Sequence, residues 1–366
     1  MKDIIKKRKS HLYVITVISI LPLQNCNRFF SFFITKNLPL ICHTEINEEN
    51  KITLFVSENP DENCFEIYIN TEKKDKRCER KIILGDIDDI KTDVKYYIYH
   101  KEKDICSGKI KPIGEKIKFA VIGDTSYKTG YLKNMIEKIA EFQPDFTFHV
   151  GDFQYDTQLD RWDEILKIFE PIFQNSFFFL SAGNHEYESE TDEKILKKYF
   201  PEEGFFAFKI RDIWFVGINM FSEKLDEFLE HISQKINYPA IFFLHKPFVS
   251  LARGEKLELS YRNIFSKIKD KALLIFSGHD HLYGKVKIGN ALQIISGGGG
   301  ARLYPCSKKN GSETVFIDDS ETEIKVEKCV EEFNFILCEI ENQKVFCKAE
   351  SPTSGKIDEF SSEITR

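Results

Sequence analysis

The sequence predicts an α/β protein with a layered core and a small N-terminal β-sandwich domain. Short alternating segments separated by charged turns occupy residues 44–114, whereas strands alternate with amphipathic helices over residues 115–350. The chain has 366 residues, 42% of them hydrophobic, which is enough for a large core and one smaller domain. Its net charge of -6 argues against a protein that coats nucleic acid, because such a protein needs a basic surface.

Residues 1–26 are typical of an export signal. The segment from Met1 to Ser10 is rich in Lys and Arg, and Leu12 to Leu23 form an apolar stretch too short to span a membrane. Cys26 follows Leu-Gln-Asn, which loosely resembles a bacterial lipoprotein cleavage box. We therefore expect a periplasmic, cell-surface or secreted protein. Membrane attachment through a lipidated Cys26 and a plain secretory signal both remain open.

The N-terminal domain, residues 44–114, reads as strands alone. Strands are predicted over 52–56, 64–69, 81–84 and 94–99, and their regular spacing without a helical period favours a β-sandwich. No residue pattern in this segment indicates a catalytic site.

The cysteines also fit export. The chain has nine, and eight remain if Cys26 is lipidated. They are Cys42, Cys64, Cys78, Cys106, Cys306, Cys329, Cys338 and Cys347. All eight lie in the two flanks of the chain, which predicts disulfides there, as in proteins of oxidising compartments. Eight cysteines allow about 105 pairings, and the sequence does not choose among them.

Residues 115–350 carry the alternating pattern. Strands are predicted over 118–123, 145–151, 176–182, 240–244 and 272–276, and helices over 129–142, 160–172, 192–199, 224–236 and 261–268. A hairpin is predicted around Arg211 and Asp212, and two further strands within residues 333–350. Residues 351–366 are polar, and we expect a loose tail there.

Polar, metal-capable side chains follow five of these apolar runs directly. They are Asp124, Asp152 with Tyr155, Asn184 with His185, His245, and His279 with His281. Ligands of an open α/β sheet gather at the carboxyl ends of its strands, so we expect these side chains to form one site.

The residue types predict two metal ions. Carboxylate and phenolate oxygens suit a strongly acidic metal, and imidazole suits iron, zinc and related divalent ions. Seven candidate ligands exceed what one ion needs, but they match two ions that share a bridging carboxylate. Two ions about 4 Å apart form the usual clamp for in-line displacement at phosphorus.

These motifs resemble the metallophosphoesterase (calcineurin-like phosphoesterase) family, and specifically its purple acid phosphatase branch. They stand here as Asp124-Thr-Ser126, Gly151-Asp-Phe-Gln-Tyr155, Gly183-Asn-His-Glu186, His245 and Gly278-His-Asp-His281. The run Gly297 to Ala301 is similar to the segment that follows the last motif, and the β-rich residues 44–114 resemble a fibronectin-like domain. The resemblance covers about Lys118 to Ala301. Ser126 stands where this branch has glycine and where many other members have a metal-binding histidine.

The resemblance implies a layered β-sandwich core flanked by helices, and it assigns the ligands. Asp124, Tyr155 and His281 would hold Fe(III), Asn184, His245 and His279 would hold a divalent ion (Fe, Zn or Mn), and Asp152 would bridge. The iron–phenolate pair would colour the protein. His185 would assist departure of the alcohol while a metal-bound hydroxide attacks phosphorus.

We therefore expect an exported phosphatase acting on small phosphate monoesters. A phosphodiesterase or nucleotidase on the same fold, and a non-catalytic surface binding protein, are the alternatives. We interpret His149 and His231 as structural and Lys246 as solvated. The glycine run is either a turn or a contact to phosphate. The sequence does not indicate the oligomeric state.

Overall fold

The computed structural model describes residues 41–57, 64–70, 72–100, 103–155, 159–200, 202–253, 259–307, 311–316 and 321–364. The expected export signal and Cys26 lie outside these residues and stay predictions. Within the described residues, no helix is long and apolar enough to cross a membrane.

The helices coincide with the predicted ones. They are α1 (Tyr131–Phe142), α2 (Leu159–Phe173), α3 (Glu190–Tyr199), α4 (Leu225–Lys235) and α5 (Leu259–Ile268), with short 3-10 helices at Ile87–Asp89, Tyr127–Thr129 and His185–Tyr187. The strands of the N-terminal part are β1 (Cys42–Ile46), β2 (Lys51–Val56), β3 (Phe65–Ile69), β4 (Glu72–Arg77), β5 (Lys81–Asp86), β6 (Val94–His100) and β7 (Lys103–Ile110). Those that follow are β8 (Ile117–Ile122), β9 (Phe146–His149), β10 (Phe177–Leu180), β11 (Phe206–Ile210), β12 (Ile213–Ile218), β13 (Ala240–Leu244) and β14 (Ala272–Ser277). The last are β15 (Tyr283–Ile288), β16 (Ala291–Ser296), β17 (Gly311–Phe316), β18 (Glu321–Val330), β19 (Phe335–Glu341), β20 (Lys344–Ser351) and β21 (Gly355–Glu363).

A nine-stranded sheet has the order β21-β20-β19-β8-β9-β10-β1-β2-β5. Its central strands β8, β9 and β10 run parallel, with Phe119 opposite Phe146 and Phe146 opposite Phe177. Their carboxyl ends therefore meet at one edge of the sheet.

This sheet also includes strands from the segment predicted to form a separate sandwich. β1 pairs in parallel with β10 at Thr44 and Phe177, and β2 and β5 follow it outward. Only β4-β3-β6-β7 form a small sheet of their own. Sheet pairing thus crosses residue 114, and the division into domains there stays a prediction. The sequence did not predict this pairing because an apolar strand such as β2 carries no local signal that identifies its partner strand.

An eight-stranded sheet has the order β11-β12-β13-β14-β16-β15-β18-β17. β12, β13 and β14 are parallel, so their carboxyl ends also share an edge. The hairpin predicted around Arg211 and Asp212 is present as β11 and β12, and Arg211 adopts a left-handed φ of 54° at its turn.

The two large sheets pack face to face through phenylalanine side chains. The ring centre of Phe148 lies 3.9 Å from that of Phe243, and Phe119 lies 6.0 Å from Phe276. Each of these rings is fully buried, and a fully buried Phe contributes about 1.5–3 kcal/mol. The abundance of phenylalanine in the chain, 33 residues, is explained by this interface and its neighbours.

Helices cover the outer faces of both sheets. Phe178 of β10 packs against Phe173 of α2 with ring centres 5.0 Å apart. On the other sheet, Ile232 of α4 and Phe265 of α5 join one buried cluster with Phe242 of β13. The layers are helix, sheet, sheet and helix, which confirms the predicted fold class.

The expected loose tail after Ser351 is wrong. Residues Gly355–Glu363 form β21, which pairs with β20, and the hydroxyl of Tyr283 donates to Asp358 of this strand at 2.8 Å. Phe360 is buried. β21 is an edge strand with one side facing solvent, and such a strand needs few apolar residues. Its polar sequence therefore did not indicate a strand.

The eight flanking cysteines form four disulfides: Cys42–Cys106, Cys64–Cys78, Cys306–Cys329 and Cys338–Cys347. The bond from Cys42 ties β1 of the large sheet to β7 of the small one. Every cysteine in the described residues is therefore paired.

Candidate metal centre

The predicted site residues meet where the carboxyl ends of the two sheets face each other. Asp124, Asp152 and Asn184 follow β8, β9 and β10 of the nine-stranded sheet. The three histidines follow β13 and β14 of the eight-stranded sheet: His245, His279 and His281. One sheet thus supplies oxygen atoms and the other supplies imidazole nitrogens.

The first group of donors is Asp124, Tyr155 and His281. The hydroxyl of Tyr155 lies 2.8 Å from Oδ1 of Asp124 and 2.9 Å from Nε2 of His281. Nε2 of His281 lies 3.3 Å from the same Asp124 oxygen. All three atoms therefore point at one small volume.

The second group is Asn184, His245 and His279, with His245 at its centre. Nε2 of His245 lies 3.2 Å from Oδ1 of Asn184 and 3.2 Å from Nδ1 of His279. It also lies 3.3 Å from Oδ2 of Asp152. His245 is fully buried.

Asp152 belongs to both groups. The ligand atoms of Asp152, His245 and His279 lie within 4.8 Å of one another, and so do those of Asp124, Asp152 and His281. A carboxylate has two oxygens and can serve two cations at once. This shared position is the one that a bridging ligand requires.

Backbone carbonyls set which nitrogen of His245 and of His281 faces the site. Nδ1 of His245 lies 2.9 Å from the carbonyl oxygen of Val150, and Nδ1 of His281 lies 2.7 Å from that of Arg302. We assign the ring proton to Nδ1 in each, because a carbonyl oxygen only accepts. Once Nε2 has lost its proton, its lone pair faces carboxylate or amide oxygens. Lone pairs that converge in this way fit a metal cation, and these carbonyls orient its ligands.

Three of the donors sit on a left-handed backbone. φ is 57° at Asp124, 51° at Asp152 and 66° at His279. Non-glycine residues rarely adopt this conformation, and strain of this kind costs about 1–3 kcal/mol where the surrounding structure enforces it. The strand ends therefore turn sharply just where the ligands are needed.

Three of the candidate ligands directly follow a glycine, and close packing requires a glycine at each of these positions. A Cβ on Gly151 would lie 2.5 Å from Nδ1 of His245, and one on Gly183 would lie 2.2 Å from Oδ1 of Asp152. A Cβ on Gly278 would lie 2.3 Å from Oδ2 of Asp124. Each glycine thus leaves room for a ligand that comes from another strand.

Glu186 is a site residue to which sequence reasoning assigned no role. It is fully buried, and its carboxylate accepts from the backbone N–H groups of Asp152 at 2.9 Å, Phe153 at 2.7 Å and Gly183 at 2.6 Å. Burial and the charge of Asp152 raise the pKa of Glu186 to about 7. It ties the loop of the bridging carboxylate to the loop of Asn184. Its position at the end of the Gly-Asn-His-Glu motif is the sequence signal that could have identified it as a site residue.

Asp280, between the two histidines of the last motif, is the second missed residue. It is buried, and its carboxylate accepts from the hydroxyl of Ser250 at 2.9 Å and the N–H of Leu251 at 2.5 Å. The N–H of Ala252 donates to it at 3.1 Å. It anchors the loop after β13 to the segment that carries His279 and His281.

The charges of the donors balance one another through a proton on His245. Burial opposes that proton, but Asp152 raises the pKa of His245 to about 9. Burial also opposes ionisation of Asp152, yet the charge of His245 holds the pKa of this carboxyl well below its usual range. A bound cation would take over the role of the proton, which would be released on binding. Burial and the charge of Asp124 raise the pKa of Tyr155, so only a strongly acidic cation suits its phenolate.

His185 lies beside the donors and is partly open to solvent. Its side chain is 23% exposed, and its Nε2 lies 3.8 Å from Oδ2 of Asp152. Its ring centre is 4.3 Å from that of Tyr155. This position can reach a molecule that is bound in front of the donors.

The remaining histidines and Lys246 lie outside the donor groups. His149 is buried, with Nε2 3.1 Å from the hydroxyl of Thr125, and burial lowers its pKa to about 3. His231 is exposed, 3.0 Å from Glu48. Lys246 was expected to be solvated. It is instead half-buried, with Nζ 5.4 Å from the ring centre of Tyr261.

The glycine run packs behind the first donor group. The N–H of Gly299 donates to the carbonyl of Gly123 at 2.9 Å, and that of Ala301 donates to the carbonyl of Asp124 at 3.1 Å. A Cβ on Gly299 would lie 2.2 Å from the Gly123 carbonyl. Its visible role is to support the loop that carries Asp124.

Comparison with known proteins agrees with this geometry. Residues 117–283 match the sequence profile of the calcineurin-like phosphoesterase family. The chain is similar to a purple acid phosphatase from yellow lupin (Lupinus luteus) seeds, with a TM-score of 0.65 and 15% identity over 89% of this chain and 74% of that one. It is also similar to PhoD, with a TM-score of 0.63 and 8% identity over 88% of this chain and 90% of that one.

A third similar structure is GAP50, the anchor in the inner membrane complex of Plasmodium, with a TM-score of 0.54 and 15% identity over 69% of this chain and 90% of that one. No curated protein sequence matches the chain. At such identities the three structures show a shared fold alone. The sequence profile covers the strands and loops that carry every donor named above. Residues 117–283, which carry the candidate site, therefore match the calcineurin-like phosphoesterase family.

Proposed function

We propose that this protein is a phosphatase that holds two metal ions and hydrolyses phosphate monoesters. The observation that carries the proposal is the position of Asp152, which belongs to two donor groups at once. A single ion would not need both groups. Two ions joined by one carboxylate are the usual clamp on a reacting phosphate.

Each donor group suits a different ion. Asp124, Tyr155 and His281 present two anionic oxygens when the phenol is ionised, which suits Fe(III), and Asn184, His245 and His279 suit a divalent ion such as Fe, Zn or Mn. When bound, the ions would neutralise the phosphate oxygens and make water more acidic. The resemblance to the purple acid phosphatase branch implies the same division of the donors.

His185 is the residue of the chain that we assign to the leaving group. It is partly exposed beside buried donors, and it is the side chain best placed to meet a substrate oxygen. A protonated imidazole there would give its proton to the departing alkoxide. General acid catalysis of this kind contributes about 10²–10⁴-fold.

We also propose that the protein is exported. The four disulfides are typical of an oxidising compartment. The basic and apolar start of the sequence is typical of an export signal. Mass spectrometry of the native protein should find a chain that lacks Met1 to about Asn25, with a lipid on Cys26 if that cysteine is used. A full-length chain with free thiols would contradict both the export signal and the disulfides.

The function is tested by metal analysis and by two model substrates. We expect two ions per chain and faster hydrolysis of p-nitrophenyl phosphate than of bis(p-nitrophenyl) phosphate. Faster hydrolysis of the diester would favour the phosphodiesterase or nucleotidase alternative. One ion per chain would contradict the bridged centre.

A non-catalytic binding protein is the second candidate, because one protein of this fold is described as an anchor. Two tightly bound ions without hydrolysis of any phosphoester would favour it. The complete set of converging donors argues against it, since binding a partner has no chemical need for them.

A further inference from the structure

A cavity of about 240 Å³ lies beside the carboxyl end of β1, and none of the residues that line it belongs to the donor groups of the metal centre. Glu45 of β1 and Thr53 of β2 line it. The half-buried rings of Phe205 and Phe228, with centres 4.6 Å apart, line it as well. The cavity is therefore partly acidic and partly aromatic, and its size suits a small molecule.

Glu45 and Thr53 lie side by side in this cavity. They are directly opposed in the pairing of β1 with β2, which places their side chains on one face of the sheet with Cβ atoms about 5 Å apart. Thr53 is 1% exposed, and its buried hydroxyl has no hydrogen-bond partner in the described part of the chain. Buried hydroxyl groups are normally hydrogen-bonded, so a bound molecule is the expected partner.

The carboxylate of Glu45 is held in place from beneath the cavity. Oε1 of Glu45 lies 3.0 Å from Nε2 of His43, which is itself fully buried, and the ring of Phe55 stacks on His43 with centres 5.2 Å apart. The second oxygen of Glu45 accepts no hydrogen bond from the described residues. Burial raises the pKa of Glu45, although its bond to His43 opposes the rise. A cation beside this carboxylate would offset the cost of burying its charge.

The other charged groups that line the cavity are already paired. The ammonium of Lys81 contacts Glu202, and Glu48 contacts Lys235. Glu45 is the lining carboxylate that no Lys or Arg of the described residues contacts, since its ion-pair partner is His43. The unmet charge in the cavity is therefore negative.

The chemistry of the cavity suits an organic ammonium ion better than a metal ion. Among the described residues, three or more converging metal donors occur only in the centre described above, which shares no residue with this cavity. Aromatic rings attract ammonium groups and pack well against hydrocarbon. The hydroxyl of Thr53 and the second oxygen of Glu45 can both accept hydrogen bonds, so the ligand needs N–H groups that donate.

We propose that this cavity binds a small primary alkylammonium ion. The N–H groups of the ion donate to the second oxygen of Glu45 and to the hydroxyl of Thr53. Its hydrocarbon part packs against the rings of Phe205 and Phe228. The site does not depend on the proposed phosphatase function, because its readout is binding and its residues lie outside the donor groups.

The test measures the dissociation constant of n-butylammonium by isothermal titration calorimetry, with the metal-loaded full chain at pH 8 and constant ionic strength. Butan-1-ol and tetramethylammonium are the comparison ligands. We expect each of them to bind at least about tenfold more weakly, because the alcohol has no charge and tetramethylammonium has no N–H group, and each therefore loses a charged hydrogen bond.

Two variants test the contacts. Glu45→Gln keeps the shape of the side chain and removes its charge, so the dissociation constant of n-butylammonium should rise about tenfold or more. Thr53→Val keeps the volume and removes the hydroxyl, so a rise of about 3–10-fold is expected. Thr53→Val also tests the site if Glu45→Gln does not fold, which thermal unfolding of each variant shows.

Glu49→Gln is the matched control. Glu49 is an exposed carboxylate in the turn between β1 and β2, where it pairs with Lys51 and does not line the cavity. Its dissociation constant should equal that of the wild type. The site would be overturned by a wild type that does not bind n-butylammonium, by equal affinity for the three ligands, by unchanged affinity in folded Thr53→Val, or by an equal loss in Glu49→Gln.

Discussion

The two large sheets contribute different chemistry to one site. The nine-stranded sheet supplies oxygen donors, Asp124, Asp152 and Asn184, and the loop after β9 adds the phenol of Tyr155. The eight-stranded sheet supplies imidazoles alone. Neither sheet holds a complete donor group, because each group takes atoms from both. The site therefore depends on how the sheets pack against each other.

Individual donors are also held in different ways. Asp124 and Asp152 are fixed by sharp left-handed turns and by backbone N–H groups, such as that of His185, which donates to Asp152 at 3.0 Å. His245 is fixed by a carbonyl of the opposite sheet, that of Val150. Asp152 is thus held by groups of its own sheet, whereas His245 is held across the interface. Asp124 is also held across it, because the N–H of His279 donates to its carboxylate at 2.8 Å. Substitutions on the two sides should have distinguishable effects.

The largest effect is expected at the shared oxygen donor. Asp152→Ala should lose both ions and essentially all activity, because Asp152 belongs to both groups. Asp145→Ala is the matched control, since Asp145 is a half-buried carboxylate just before the same strand and accepts from the N–H of Lys118 at 2.8 Å. That variant should keep its ions unless the fold is lost. Metal analysis after dialysis measures both, and two tightly bound ions in Asp152→Ala would show that Asp152 does not bridge.

The neighbours Asn184 and His185 should separate metal binding from rate on the oxygen side. His185→Ala should keep both ions and lose about 10²–10⁴-fold in turnover, as expected for a general acid. Asn184→Ala should instead release the divalent ion, because it removes an oxygen 3.2 Å from Nε2 of His245. Metal content and turnover are measured side by side. Equal metal loss in the two variants would contradict the different roles.

Tyr155 gives the comparison a spectroscopic readout. The iron-loaded protein should be purple or pink, and Tyr155→Phe should lose that band, because the colour arises from phenolate bound to Fe(III). Tyr304→Phe is the control, since Tyr304 also contacts His281 but its hydroxyl accepts from Arg253. An absorption spectrum decides the matter. A colourless iron-loaded wild type, or an unchanged band in Tyr155→Phe, would show that Tyr155 is not a ligand.

The smallest effect is expected from the disulfides, one associated with each sheet. Cys306–Cys329 ties the segment after Tyr304 to β18, and Arg302 in the same segment orients His281. Replacing both cysteines with serine should weaken binding of the ion beside His281 about tenfold, as expected when a ligand loses support.

The matched control removes Cys338–Cys347, which joins β19 and β20 of the nine-stranded sheet. That double variant should be less stable to heat but should bind both ions normally. Chelator titration and thermal unfolding distinguish the two results. Equal metal affinity in both double variants would mean that the bond from Cys306 does not support the centre.

Local patterns in the sequence were sufficient for the helices, the central strands and the positions of the donors. The helices follow from apolar residues at helical spacing. The donors could be located because each one stands directly after a buried strand, often with a glycine before it. Parallel strands bring such residues to one edge, so their meeting could be expected without coordinates. These signals are local, so they can be recognised in the sequence without knowledge of long-range contacts.

Tertiary structure decided the choices that depend on distant partners. β1 and β2 joined the large sheet, and the polar residues of β21 became a strand, because partners elsewhere in the chain were free to pair with them. The disulfide pairing follows from the same long-range placement. Glu186 and Asp280 gained their anchoring roles only where buried N–H groups from other loops surrounded them. The contact between Arg253 and Tyr304 likewise joins residues that no spacing in the sequence relates, because loop packing alone brings them together.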